Sequence, residues 1–120
     1  MLARTGSRYH RRVPPSSSAP IHPELVTERT DAFQRAADRC AELVRGGEAR
    51  RAAEVYRDEV DPALDGLLEL HDRALDAGRP IVELQQAAHA AELRAETLVE
   101  RLEALGIQFD DEERPILNGA

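Results

Sequence analysis

Between Ile81 and Leu105 the apolar residues Ile81, Leu84, Ala88, Ala91, Ala95, Leu98, Leu102 and Leu105 recur at a strict three-and-four spacing. An α-helix puts such positions on one face, whereas a strand would need alternation. No glycine or proline interrupts the run before Gly106. A stripe of this length is stable only when buried, and other helices are its natural partners. The remaining composition agrees. Two Phe and two Tyr in 120 residues leave Leu, Val, Ile and Ala to build the core, a set that suits helices better than sheets.

Two further stripes precede it. Val26, Phe33, Ala37, Cys40 and Val44 share one face of a helix that starts at Pro23, a favourable first helical residue, and ends at Gly46-Gly47. The second series runs Ala49, Ala53, Tyr56, Val60, Leu64, Leu67, His71, Ala74 and is stopped by Gly78. It passes through Pro62 without a change of phase. Asp61-Pro62 also reads as an N-cap followed by a first helical residue, but a helix beginning there would be about 24 Å long. The Pro80-led helix after it would reach roughly 39 Å and be left half uncovered. The spacing therefore predicts one helix over 48–77, bent at Pro62.

The fold class expected is all-α: an up-down-up antiparallel three-helix bundle over 23–106, its central helix kinked at Pro62. Short connections at 46–47 and 78–80 favour antiparallel neighbours. Residues 1–22 are expected to be a disordered basic arm and a Pro/Ser linker, "RRVPPSSSAPIHP" at 11–23. Residues 107–120 are expected to be an acidic, mostly extended tail.

The net charge is −7, unevenly spread. The first twelve residues carry Arg4, Arg8, Arg11 and Arg12 and no acid, leaving twelve arginines against 23 acids in the rest. Such an arm is suited to nucleic acid, an anionic membrane or the protein's own acidic surface. The acidic body repels phosphate, which argues against nucleic-acid recognition. No apolar run is long enough to span a membrane, and no secretory h-region precedes the prolines. One cysteine, Cys40, excludes an internal disulfide and fits a cytoplasmic protein. The absence of lysine reads as coding bias, as in a GC-rich bacterium.

Motifs with chemistry are sparse. His71 and His89 are candidate metal ligands, brought within a turn of each other if the second and third helices are antiparallel. No Glu-x-x-His, His-x-x-x-His or cysteine cluster accompanies them, so boundary histidines are the simpler reading and no metal or cofactor is expected. Cys40 sits on a buried stripe, where a reactive thiol would want an electropositive, exposed site. Ser16, Ser17 and Ser18 belong to the linker, and "VRGGEAR" lacks the Lys-Ser/Thr of a phosphate loop. No enzyme is expected.

The segments "EVDPALDGLLELHDRALDAG" (59–78) and "LVERLEALGIQ" (98–108), followed by "ERPILNGA", resemble the helical region of GrpE-type nucleotide exchange factors. In that family a leucine-rich helix, a loop and a helix closing on a Leu-x-x-x-Gly-Ile/Val step lead into a β-domain. The resemblance implies a co-chaperone fragment with a DnaK-type partner, lacking the β-domain that engages it. The same segment is similar to helical sensor modules of bacterial chemoreceptors, without their membrane helices. From the residues themselves the expected function is a non-catalytic helical protein–protein interaction module, an adaptor, scaffold or assembly subunit. Its partner is another protein or a second copy. Arg4, Arg8, Arg11, Arg12, Ile116 and Leu117 are the candidate contact residues. The alternatives are the GrpE-like fragment and a metal-binding helical bundle.

Overall fold

The computed structural model describes residues 21–79 and 81–117, and these are mostly helical with no strand among them. Helix α1 is Pro23–Arg45, α2 is Ala49–Val55, α3 is Asp61–Asp76 and α4 is Val82–Ala104. A π-helical turn, Tyr56–Val60, joins α2 to α3 without a break. The backbone dihedrals of Val55, Tyr56, Val60 and Asp61 are all right-handed helical. One continuous helical stretch thus runs from Ala49 to Asp76. The all-α expectation holds.

Pro62 explains where the π turn lies. Its missing N–H cannot bond the carbonyl of Asp58, and its ring would crowd that carbonyl in an ideal α-helix. The turn just before it widens instead, and the Asp61 N–H bonds the Tyr56 carbonyl, five residues back. Asp61, read from the sequence as a possible N-cap, has φ −61° and ψ −47° and is buried within the helix.

Each helical stretch ends in the same way. At the end of α1 the Gly47 N–H bonds the Val44 carbonyl, and the Glu48 N–H reaches back to Leu43, both at 3.0 Å. At the end of α4 the Gly106 N–H bonds Glu103 at 2.9 Å and the Ile107 N–H bonds Leu102 at 3.0 Å. Gly47 and Gly106 have φ of 76° and 98°, the left-handed geometry this double bond requires. Gly78 repeats it after α3. "LEALGI" is therefore a helix stop in physical terms, and helix stops are common to many families.

The core draws on all the helices: Phe33, Ala37 and Cys40 from α1, Tyr56 and Val60 from the π turn, Leu64, Leu67 and Leu70 from α3, and Leu84, Ala91 and Leu102 from α4. Side-chain links cross from α1 to the second stretch, among them a 3.9 Å ion pair of Arg29 with Glu69. Arg29 Nη1 donates to the Gly66 carbonyl at 2.9 Å, Arg39 donates to Glu59 at 3.0 Å, and the Cys40 thiol meets the Ala52 carbonyl at 3.4 Å. Arg94 of α4 pairs with Asp38 of α1 at 2.7 Å.

The tail departs from the extended form expected for it. Phe109 and Pro115 form an antiparallel bridge, and the Ile116 N–H bonds the Gln108 carbonyl at 2.8 Å. The reversal is held by Asp110, whose Oδ1 accepts the Glu112 and Arg114 N–H groups at 2.9 and 3.0 Å. Phe109 then packs edge-on against Tyr56, ring centres 5.9 Å apart. An aromatic pair and a local side-chain turn outweigh the acidic composition that suggested an extended chain.

Candidate interaction surface

Of the contact residues read from the sequence, Arg4, Arg8, Arg11 and Arg12 lie outside the described residues, as does Pro80. Ile116 is exposed, whereas Leu117 is half-buried against the core, so only the former faces outward. His71 is half-buried on α3 and His89 is exposed on α4. No group of three or more His, Cys, Asp or Glu side chains suited to a metal ion gathers among the described residues.

Cys40 is enclosed, with no solvent exposure. Burial pushes its thiol up to about 11, against a smaller opposing pull from Arg94. It stays protonated at neutral pH and behaves as a small apolar side chain with a weak donor.

The outward face of α4 carries what sequence periodicity passed over. Val82 is 63% exposed and Leu93 52%, although both are large apolar residues. They lie about three turns apart on one face, with exposed His89 between them on the same line and Glu100 further along. Leu105, assigned from its spacing to the buried stripe, is 42% exposed because it forms the last residue before the Gly106 turn. The signal for this surface was present. Val82 and Leu93 fall outside the buried rhythm, and an apolar residue out of phase with its helix is left facing solvent.

A second feature lies between the start of α1 and the start of α4. Ile21, Val26 and Thr30 on one side and Ile81 and Ala87 on the other enclose an open groove of about 330 Å³. Asp31 and Glu83 stand exposed at its edge. This is a shape for an apolar side chain or two, with acid beside it.

Comparison with family models, with curated proteins and with solved structures returned no match.

Proposed function

We propose that the chain is a non-catalytic helical module that binds another protein, or a second copy of itself, through the outer face of α4. The observation that carries this is the alignment of Val82 and Leu93, both more than half exposed, on one line of a helix whose other face is fully packed. Large apolar groups aligned in this way lose water on contact with a partner, at about 25 cal/mol for each Å² covered. His89 lies between them and Glu100 beyond Leu93, and both supply polar complementarity.

We read the scaffold behind this face as an up-down-up bundle. Arg29 pairs with Gly66 while Arg39 pairs with Glu59, so α1 and the second stretch run in opposite senses. Ile21 lies by Ile81 while Asp38 meets Arg94, so α1 and α4 run in the same sense. In this reading the central stretch bends at the π turn before Pro62 and follows the core between its neighbours. The enclosed, reduced Cys40 is compatible with work in the cytoplasm.

The test is a double substitution, Val82→Glu with Leu93→Glu, in the full chain. Both sites are solvent-facing, so circular dichroism and melting temperature should stay unchanged. Self-association by sedimentation equilibrium, or capture of a partner from the native host, should fall at least tenfold. Undiminished association on both measurements would remove the outer face of α4 from the account.

A further inference from the structure

The exposed line of α4 is complementary to itself when reversed. Resting on the reading that this face is the contact surface, we propose that its partner is a second copy of this chain. The two α4 helices lie antiparallel, with a twofold axis passing beside Leu93.

The order of residues along the line carries the proposal. Val82, Gln86 and His89 stand 11, 7 and 4 residues before Leu93, and Ala104, Glu100 and Thr97 stand 11, 7 and 4 after it. All of them are exposed, as is Leu93. A twofold axis at Leu93 sets each residue opposite the one equally far beyond Leu93 in the other copy. Leu93 then meets Leu93 and Val82 meets Ala104, so each apolar residue on the line finds another. Gln86 offers its amide N–H to the Glu100 carboxylate. The Thr97 hydroxyl already donates to the Leu93 carbonyl at 3.1 Å, which leaves its lone pairs to accept from the His89 ring.

Charge on the flanks agrees. Glu83 and Arg101 are 18 residues apart, about five whole turns, so they share one side of the line. A twofold axis perpendicular to the helices keeps that side in common. Glu83 lies ten residues before Leu93 and Arg101 eight after it, which brings the pair to within about 3 Å of level. Both are exposed, and among the described residues neither closes an ion pair within the chain, Glu83 not even with the exposed Arg79 four residues before it. The symmetry makes the Glu83–Arg101 pair twice. On the opposite flank Glu96, next to Thr97, brings a carboxylate to the same imidazole of His89.

Direction follows from the same charges. A parallel pair would set every residue against its own copy, Glu96 on Glu96 and Glu100 on Glu100, with like charges in register. The antiparallel pair instead lays the N-terminal end of each α4 beside Glu100 and Glu103 of the other copy, which the helix dipole favours.

The experiment uses the full chain. Sedimentation equilibrium should show a monomer–dimer equilibrium below about 1 mM. Glu83→Arg sets arginine against arginine twice and should weaken it about tenfold, and adding Arg101→Glu should restore it. Register is read with a short bis-maleimide reagent on single cysteines placed along the line, Cys40 being enclosed. Leu93→Cys should couple to its own copy, and His89→Cys should couple to Thr97→Cys in a mixture and hardly to itself. These positions are exposed, so circular dichroism should not change. A chain still monomeric at about 1 mM would overturn the second copy as occupant. It would leave the outer face of α4 in place, whose own failure is association undiminished by Val82→Glu with Leu93→Glu. A dimer in which His89→Cys couples to itself as readily as to Thr97→Cys would overturn the antiparallel register. A dimer indifferent to Glu83→Arg would overturn the pairing with Arg101.

Discussion

Cys40 shows how burial decides the chemistry of a single group. Its thiol is enclosed beside the Ala52 carbonyl, and its affinity for its proton rises from an ordinary 9.0 to about 11. The folded chain therefore holds this proton more tightly than the unfolded chain. The resulting stability is fully present below about pH 9 and is lost as pH rises towards 11, an effect on the order of 2 kcal/mol. Denaturant titrations of the native protein and of Cys40→Ala across that range should show the fall in the first and its absence in the second. Ala91 makes a second case. It is 3% exposed in the middle of α4, so a larger side chain there has no open space to enter. Ala91→Leu should cost about 1–3 kcal/mol in thermal or denaturant unfolding through overpacking, while the exposed Glu100→Gln should change stability by less than about 0.5 kcal/mol. Most buried positions could be read from spacing because the helical period is fixed by geometry. Leu68, Leu70 and Val99 could not, since they widen the stripe beyond a single line and face more than one neighbour. Leu105 failed for the opposite reason: its phase is right, but the helix turns away beneath it.

Helix ends were readable in the sequence, and for a physical reason. The double bond closing α1 and α4 demands a left-handed residue, glycine fills it at least cost, and the stop is coded by one local letter. Pro62 was harder. The unbroken phase correctly implied one helical stretch, but no periodicity announces a π turn, which answers a clash between Pro62 and the carbonyl of Asp58. Pro62→Ala removes the clash and returns a donor. Helical content by circular dichroism should be retained, with stability unchanged or raised by about 1 kcal/mol. A collapse of cooperative unfolding would instead make Pro62 the start of an independent helix. The tail was misread because its turn uses no glycine or asparagine. It relies on the Asp110 carboxylate and on Glu113 at φ 64°, which composition does not mark. Phe109→Ala removes the edge contact with Tyr56 and part of the core's cover. It should lower stability by about 1–3 kcal/mol and speed proteolysis within 107–117 before global unfolding.

Taken as one body, the molecule separates what holds it together from what it offers outside. The inner faces of four helical segments share one core. Ion pairs that cross between helices, such as Arg29–Glu69, Arg39–Glu59 and Arg94–Asp38, are substantially exposed and orient the helices more than they stabilise them. The surface we propose for recognition is the outer line of α4, with the groove beside its start. Neither stood out in the sequence. Pattern analysis finds residues that repeat in phase with burial, and a contact surface consists of those left out of phase. The groove also joins residues about sixty positions apart, Ile21 and Ile81, which only the folded chain brings together. The central claim, recognition through the outer face of α4, is most directly tested by site-specific photocrosslinking in the native host. A benzoylphenylalanine at His89, between Val82 and Leu93, should give a discrete crosslinked product, and the same group at the exposed Asp58 of the π turn should give none. Crosslinking at Asp58 but not at His89, or at neither position, would contradict the account.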